Sequence, residues 1–340
     1  MNRLVLTILA LAISLTAEAT TLKLATITPE GSSWMTSMKA SAQEIEERTE
    51  GRVKIKYYGG GVKGDDKKVL RLIRIGELHG GAFTPAALSS QYRDLNLYGL
   101  PMTFNSLEEA AYVRKHLDER LMRGLEEAGW VNFGFAAGGL SVLMSNPKIQ
   151  TFDDLKGKKI WLPEGDKIGL EAMKALSLSP VPLPLTDVLV GLQTGLLDAV
   201  GMSPIGALVL QWHTKVKYIT ELPLVYTYGF MAIDKKAFNR IGEADQAIVR
   251  EVMERTYREL NEQNIVDTRE AFQALVNSGL EVVDLDVDDY NQTRAAVAST
   301  IAELGDEGLY TPELYDEMMR YVDEYRAQAS TREAARQASD

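Results

Sequence analysis

Three observations predict an α/β protein with two lobes around a cleft. Strand patterns alternate with helix patterns, which is typical of βαβ units and a largely parallel sheet. One helix-to-strand corner occurs twice along the chain, and a long helical pattern at residues 243–277 is able to cross between lobes. The 340 residues are 45% hydrophobic and 25% charged, an ordinary globular composition with enough length for two lobes.

The individual elements follow from local periodicity. Alternating or short apolar runs predict strands, and apolar residues at helical spacing predict helices. In the first half, the predicted strands are residues 22–27, 52–58 and 80–84, and the predicted helices are residues 34–48 and 66–75. In the second half, we predict strands at residues 158–162 and 198–202, an extended link at 179–184, and helices at 167–176 and 186–195.

The C-terminal third is predicted to be mostly helical. Residues 243–277 contain few breaks, so they predict one long helix or two in tandem. Residues 311–326 predict a capped helix. The polar tail at residues 327–340 is expected to be frayed.

The repeated corner is a gapless match between two segments. Residues 73–85, IRIGELHGGAFTP, match residues 192–204, LQTGLLDAVGMSP. In each copy a helix ends at a glycine, and a strand of small residues then ends in an apolar–hydroxyl–proline triplet. The match is either a chance similarity of two such corners or a sign of two similar lobes that present the same strand end to a shared cleft. A cleft of the second kind closes by hinge motion.

Residues 1–19 have the pattern of a secretory signal peptide. Arg3 gives a positive start, residues 4–15 are almost unbroken apolar sequence, and Ala17 and Ala19 are small residues suited to cleavage. The apolar run is short for a membrane span. We therefore expect export and a mature chain that starts near Thr20 or Thr21 and has no spanning helix. An uncleaved N-terminal anchor is the alternative.

Composition excludes several functions. The chain has no cysteine, which rules out disulfides, thiol catalysis and thiolate metal sites. The net charge of −11 argues against nucleic acid and anionic membranes as partners. The three histidines, His79, His116 and His213, are not paired at metal-ligand spacing. His79 is expected to be structural and His116 solvated, and for His213 a ligand-facing position is an alternative.

No catalytic constellation emerges from the motifs. The glycine-rich residues 136–141 lack the lysine of a phosphate loop, and no nucleophile-elbow motif occurs. The acidic residues 284–290 lack the glycine turn and terminal glutamate of an EF-hand, so they indicate a solvated loop. We therefore expect a protein that is not an enzyme and has no cofactor and no metal site.

Several stretches resemble one family. Residues 151–166, TFDDLKGKKIWLPEGD, and residues 173–200, MKALSLSPVPLPLTDVLVGLQTGLLDAV, are similar to the solute-binding proteins of TRAP (tripartite ATP-independent periplasmic) transporters. Other matching stretches are TLKLATITPEGSSW, EERTEGRVKIKYYGGG and LNLYGLPMTFNSLEEA. Together they cover most of the chain from Thr21 to about Gly242, in family order.

The resemblance implies a periplasmic binding protein-like fold with crossing strands and a long interlobe helix. It also implies a periplasmic location, capture of a small molecule, and delivery to membrane permease subunits driven by an ion gradient. Lobe I is expected to comprise residues 20–144 plus 233–275. Lobe II is expected to comprise residues 145–232 plus 276–326.

Trp161 departs from the family pattern. The usual member has an arginine at this position, and that arginine binds the carboxylate of an organic acid with two hydrogen bonds. An indole cannot neutralise a carboxylate, so the sequence predicts an apolar or non-carboxylate ligand. The alternative is an organic acid held by backbone N–H groups or by an arginine from elsewhere, with Arg74 and Arg93 as candidates.

Residues 195–213 also differ from the common family form. They are more similar to the subgroup found with tetratricopeptide-repeat partner proteins, for which hydrophobic ligands have been suggested. Met202, Pro204, Ile205 and Leu208 are expected to make this wall apolar. A non-transport periplasmic interaction protein is a further alternative.

We expect seven residues to line the ligand cleft. Aromatic and apolar side chains form its walls, and two hydroxyls offer hydrogen bonds. Core packing is the competing interpretation for each aromatic residue. The seven residues are Trp34, Phe83, Thr84, Trp161, Met202, Ser203 and Tyr228.

Overall fold

The structure, a computed structural model, describes residues 19–220 and 222–337. The side chains of residues 265, 266, 269 and 333–337 are outside this description. The predicted signal peptide, apart from Ala19, also lies outside the described residues. Within the described ranges, no helix is both long and apolar enough to cross a membrane.

Strands and helices alternate through most of the chain, as predicted. The strands are β1 (Thr20–Ala25), β2 (Val53–Tyr58), β3 (Gly80–Phe83), β4 (Trp130–Asn132), β5 (Ala136–Leu140), β6 (Val142–Ser145), β7 (Ile160–Pro163), β8 (Pro180–Leu183), β9 (Ala199–Met202), β10 (Tyr218–Thr220), β11 (Tyr226–Asp234) and β12 (Glu281–Val282). The α-helices are α1 (Ser33–Arg48), α2 (Asp66–Arg74), α3 (Pro85–Leu88), α4 (Leu107–Glu127), α5 (Lys167–Ala175), α6 (Val188–Thr194), α7 (Pro204–Val209), α8 (Lys235–Phe238), α9 (Glu243–Asn277), α10 (Val287–Asp306) and α11 (Pro312–Gln337).

Two sheets share one strand order. Lobe I has the order β2-β1-β3-β11, and lobe II has the order β8-β7-β9-β6. In each sheet the first three strands are parallel and the fourth is antiparallel. β4 and β5 extend the first sheet, and β10 and β12 extend the second. The prediction of two α/β lobes with crossing strands is confirmed.

The chain crosses between the two lobes at different positions from those that we expected. β6 pairs with β9, so residues 142–144 belong to lobe II and not to lobe I. β11 pairs with β3, so residues 226–232 belong to lobe I. Between the lobes the two crossing segments bind each other, since the Ser141 backbone N–H donates to the Val225 carbonyl at 2.7 Å. The Ser141 hydroxyl accepts from the Val225 N–H at 3.0 Å.

α9 is one unbroken helix that contacts both lobes. It packs against α1 of lobe I and α7 of lobe II. On the lobe I side the Ser41 and Thr256 hydroxyls lie 2.7 Å apart. The prediction of a long interlobe helix is confirmed.

The C-terminal helices divide between the lobes. α10 packs against α5 of lobe II, as expected, whereas α11 packs against α4 of lobe I. Contacts that join α11 to α4 include the ion pair between Arg120 and Glu317. α11 also continues to Gln337, so the expectation of a frayed tail after residue 326 is wrong over this range.

Candidate functional site

A cavity of about 820 Å³ lies between the two lobes. Small-molecule sites usually have volumes of about 300–1,000 Å³. The wall includes residues from β3 and β11 of lobe I, from β7 and β9 of lobe II, and from the middle of α9. Strand ends at such a junction are where open α/β folds bind ligands. The cavity is therefore the candidate site.

The two copies of the sequence repeat fold alike around this cavity. Gly76 and Gly195 follow α2 and α6 and have φ angles of 78° and 71°, a left-handed conformation that favours glycine. β3 and β9 then lead through Thr84 and Ser203 into short helices that begin at a proline. Both strand ends contribute to the cavity wall. The interpretation that two similar lobes face one cleft is confirmed.

His79 and Asp198 occupy matching turns and have matching roles. His79 Nδ1 accepts a hydrogen bond from the Lys23 backbone N–H at 3.1 Å. Asp198 Oδ2 accepts one from the Lys159 backbone N–H at 2.9 Å. Burial lowers the pKa of His79, and the charges of Arg240 and Lys23 lower it further, which favours the neutral ring that can accept. The structural role predicted for His79 is confirmed.

Neither of the other two histidines is among the described residues that line the cavity. His116 is exposed, as predicted, and stacks on Tyr321 with ring centroids 4.3 Å apart. His213 is half-buried, and its Nδ1 lies 3.2 Å from the Ala207 carbonyl oxygen. The ligand-facing alternative for His213 has no support from this position.

Trp161 is both a core residue and part of the cavity wall. Only 5% of its surface is exposed, and its ring packs edge-to-face on Trp212 with centroids 5.1 Å apart. The indole Nε1 donates to the Leu183 carbonyl at 3.0 Å, which satisfies its polar atom. Trp161 also lines the cavity. The competing interpretations of core packing and cleft wall therefore both describe this side chain.

Trp34 and Tyr228 reach the cavity from lobe I. Trp34 is half-buried at the start of α1 and lines the wall. Tyr228 lines it from β11, and its ring lies 5.6 Å from Tyr98 and 5.5 Å from Phe135 in edge-to-face contacts. The Tyr228 hydroxyl donates to the Leu95 carbonyl. This hydrogen bond leaves the ring as the surface that Tyr228 offers a ligand.

The two hydroxyls expected to bind a ligand are engaged with protein groups. Thr84 Oγ1 donates to Asp66 Oδ2 at 2.9 Å. Ser203 is 2% exposed, and its Oγ accepts from the Gly206 backbone N–H at 3.4 Å as the cap of α7. Both residues line the cavity with Phe83 and Met202. Their hydrogen bonds indicate that the strand ends are organised before any ligand arrives.

Carboxylates outnumber cations on the described cavity wall. Among the described lining residues Lys67 is the one cation. Arg74 and Arg93, the candidates for a non-standard clamp, are exposed and do not contribute to this wall. The lining carboxylates are Asp65, Asp66, Glu164, Asp166, Glu259 and Asp267.

Lys67 forms an ion pair with Glu164 that joins the lobes. Lys67 lies on α2 of lobe I, and Glu164 directly follows β7 of lobe II. The Lys67 side chain is 69% exposed, so the pair lies at the solvent side of the cleft. Its positive charge is already compensated by a carboxylate of the protein.

Two of the lining carboxyls are poorly solvated. Burial raises the pKa of Asp66 to about 6, although hydrogen bonds from Thr84 oppose this shift. Burial also raises the pKa of Asp166, although the backbone N–H of Gly169, 2.8 Å from Oδ1, opposes the shift.

Sequence reasoning missed a buried cation behind the wall. Arg114 of α4 forms an ion pair with Asp118 at 2.8 Å. Its Nη1 donates to the Tyr226 hydroxyl at 2.8 Å, and its Nη2 donates to the Phe135 carbonyl at 2.6 Å. Its guanidinium is therefore occupied by lobe I groups, and it supports the aromatic wall without lining the cavity. The charged helical pattern around it gave no sign of burial.

Two lobes, crossing strands and an interlobe cavity define the class of solute-binding proteins. The chain matches the family model of the bacterial extracellular solute-binding protein, family 7 (DctP), over residues 24–307, and it belongs to that family. This finding confirms the resemblance to TRAP solute-binding proteins. The family and its structural neighbours are solute receptors, so the chain is not an enzyme.

Relatives and solved structures agree with this assignment. The chain is 24% identical to the uncharacterized protein YiiZ of Salmonella typhimurium, over 52% of this chain and 55% of YiiZ, about half its length. It is 27% identical to the 2,3-diketo-L-gulonate-binding periplasmic protein YiaO of Escherichia coli, over 71% and 74% of the two chains. A TRAP periplasmic solute-binding protein from Shewanella oneidensis, solved with bound succinate, superposes with a TM-score of 0.82 at 14% identity, over 89% and 99%.

Proposed function

We propose that this chain captures a small apolar or non-carboxylate molecule in the interlobe cavity and delivers it to the permease subunits of a TRAP transporter. We place this receptor in the periplasm, because the N-terminal sequence predicts export. The observation that carries the ligand class is the wall itself. By the sequence resemblance, Trp161 stands where the usual family member has an arginine. The one described cation of the wall is paired with Glu164.

The energetic reason is the cost of burying an unpaired charge. A carboxylate taken from water into a poorly solvated site without a cation loses several kcal/mol. In the described cavity wall the one cation, Lys67, is already paired with Glu164, so a buried carboxylate would have no free cation there. Aromatic and aliphatic side chains, by contrast, gain about 25 cal/mol for each Å² of apolar surface that a ligand covers.

The named relatives support a second candidate ligand class. YiaO is named for binding 2,3-diketo-L-gulonate, and the Shewanella structure holds succinate. Both ligands are organic acids. In this chain an acid would depend on backbone N–H groups, because neither Arg74 nor Arg93 reaches the described wall. The non-transport interaction protein has no comparable observation in its favour.

We also propose that the chain belongs to the subgroup associated with tetratricopeptide-repeat partners. The apolar character of residues 195–213 supports this assignment. Met202 and Ile205 line the cavity, and Leu208 packs into the lobe II core beside it. To test this assignment, the protein is purified with any periplasmic tetratricopeptide-repeat protein that accompanies it, and the affinity between the two proteins is then measured directly.

Identification of the co-purified ligand tests the ligand class directly. Protein purified without refolding is measured by native mass spectrometry, and the bound molecule is then extracted and identified. We expect a neutral apolar compound at about one molecule per chain. A dicarboxylate or sugar acid at that stoichiometry contradicts the proposal and supports the second candidate.

A cavity-filling variant shows whether the ligand occupies the cleft. A Cβ added at Gly201 meets no heavy atom within 4 Å, and Gly201 lines the cavity, so Gly201→Leu fills open space. We expect this variant to lose the co-purified compound. Gly242→Leu is the matched control, because Gly242 is exposed, has equally open surroundings and lies outside the described wall. Equal retention by both variants means that the molecule binds elsewhere.

A further inference from the structure

The cavity does not stop at the strand ends but continues into lobe II. We call this continuation the inner arm and define it by six apolar wall residues: Leu143, Phe152, Leu155, Ile160, Met173 and Leu178. Four of them belong to one buried hydrophobic cluster of lobe II, and the partly buried Phe152 and Met173 pack against that cluster. None of them carries a polar group, so the inner arm offers hydrocarbon contact alone.

The inner arm lies between β7 and α5. Successive side chains of a strand point to opposite faces, so Trp161 and Ile160 belong to different cores. Trp161 packs in the core that contains Trp212, whereas Ile160 belongs to the inner-arm cluster. Met173 of α5 packs on the inner-arm cluster, whereas Ala172 lines the cavity beside it and belongs to the core that contains Val297. The space is therefore bounded by the sheet on one side and by α5 on the other.

The inner arm opens toward the cleft at the start of α5. Asp166 and Gly169 both line the cavity there. A Cβ at Gly169 would lie 2.8 Å from Leu162, so the helix touches the strand closely at this point. Ala172, one turn further on, is 4% exposed and presents only a methyl group to the space. Gly169 is closely packed, whereas Ala172 lines the cavity, so a larger side chain at position 172 would extend the wall into the cavity.

We propose that the inner arm receives the alkyl tail of a single-chain amphiphile whose uncharged polar end stays in the cleft between the lobes. This inference rests on the proposed function and specifies its ligand class. The cleft contains carboxylates and the side chain of Asn264, which can bind a hydroxyl group, whereas the inner arm accepts only a hydrocarbon. The ligand therefore has one polar and one apolar end.

The inner arm should discriminate between ligands by the length of their alkyl chain. Each methylene moved from water into an apolar site increases affinity by about fourfold. Affinity for a series of straight-chain alcohols should rise by about this factor per carbon until the arm is full, and then level off. Binding to an open apolar surface has no such limit.

The test compares two alanine-to-leucine variants of α5 in the full-length protein. Ala172→Leu enlarges the cavity wall beside the inner arm and should narrow the arm's entrance, whereas Ala175→Leu places the same side chain at an exposed position of the same helix. Straight-chain alcohols from hexanol to dodecanol are titrated by calorimetry. We expect Ala172→Leu to level off at a shorter chain than the wild type, and Ala175→Leu to match the wild type. Met173→Ala enlarges the arm and should move the limit to longer chains, which keeps the test decisive if Ala172→Leu fails to fold.

The outcomes separate this inference from the proposed function. If the alcohols bind with no dependence on chain length, the inner-arm proposal is wrong. It is also wrong if the wild type and the folded arm variants have the same chain-length limit. In both cases the proposal of a receptor for an apolar ligand remains valid. If none of the alcohols binds and succinate or a sugar acid binds tightly, both the inner-arm proposal and the proposed function are wrong.

Discussion

The two lobes share a strand order but present different chemistry to the cavity. At the end of β3, Thr84 donates to Asp66, a carboxyl whose pKa burial raises to about 6. On the lobe II side, Trp161 and the apolar inner arm form the wall. One backbone arrangement, used twice, therefore places two strand ends at the cavity, whereas the side chains around those ends make the two halves of the wall chemically different.

The same difference appears in how the walls are supported. The lobe I wall depends on polar groups behind it, since Arg114 holds the Tyr226 hydroxyl and Leu95 accepts from Tyr228. The lobe II wall depends on packing, since Trp161 lies against Trp212. Substitutions in lobe II should therefore change stability through lost packing, and substitutions in lobe I should change it through hydrogen bonds and charge.

The largest effect is expected for the aromatic walls. Trp161→Ala removes a side chain that is only 5% exposed and should lower the free energy of unfolding by about 3–5 kcal/mol. Trp34→Ala in lobe I removes a half-buried ring and should cost about 1 kcal/mol. Urea unfolding at neutral pH measures both. Equal costs would contradict the difference between a packed wall and a partly exposed one.

The next effect concerns the buried carboxyl of lobe I. The pKa of Asp66 is raised above 3.8 to about 6, so the folded protein binds the proton more tightly than the unfolded chain. The charged carboxylate therefore costs stability above about pH 6, and this cost fades as the pH falls from about 6 to about 4. Asp66→Asn should raise the free energy of unfolding by about 2–3 kcal/mol at alkaline pH and have no effect below about pH 4.

Thr84→Val is the control for this prediction. It removes the hydroxyl that stabilises the charged form of Asp66, so it should lower stability at alkaline pH. In the Asp66→Asn background the same change should have a smaller effect. A constant effect of Asp66→Asn across the pH range would contradict the assigned shift.

The matched turns give a smaller, pH-dependent difference. The pKa of His79 is lowered in the folded protein, mainly by burial, so the unfolded chain takes up the proton first. Its contribution to stability is present above about pH 6.5 and is lost as the pH falls below that value. The protection factor of the Lys23 amide, which corrects for the slower intrinsic exchange at low pH, should fall on acidification by about fivefold, equivalent to about 1 kcal/mol. His79→Asn, which keeps an acceptor, should remove this pH dependence, and an unchanged dependence in that variant would point to another group.

The smallest effect is expected for the ion pair across the cleft. Glu164→Gln should change ligand affinity by about fivefold or less, because Lys67 is exposed and such pairs contribute about 0.2–1 kcal/mol. Raising the salt concentration should abolish the difference. Glu77→Gln breaks the Lys63–Glu77 pair within lobe I and serves as the control. A salt-independent change in affinity would mean that Glu164 contacts the ligand itself.

The two-lobed fold was predictable because its signals are local. Local periodicity predicted five of the twelve described strands, β1, β2, β3, β7 and β9, and missed the long helices α4 and α10. The repeat between residues 73–85 and 192–204 predicted the two matched strand ends. The crossing positions were not predictable from the sequence. β6 and β11 are apolar strands that fit next to either sheet, and the hydrogen bonds at Ser141 and Val225 determine where the chain passes between lobes.

The site was predictable only as a set of wall positions. All seven expected residues line the cavity, but the hydroxyls of Thr84, Ser203 and Tyr228 already bind protein groups. No sequence pattern indicates the inner arm, because it is formed where α5 packs next to β7 in the folded protein. Ala172 looks like any helical alanine in the sequence.

A calorimetric comparison of decanol, decanoate and succinate on the full-length protein tests the central claim most directly. The claim is that this cavity lacks a carboxylate clamp and takes an uncharged apolar ligand. We predict that decanol binds at least about tenfold more tightly than decanoate, because the chains match and only the charge differs. We predict no measurable binding of succinate. Tighter binding of decanoate than of decanol, or strong binding of succinate, would contradict the account.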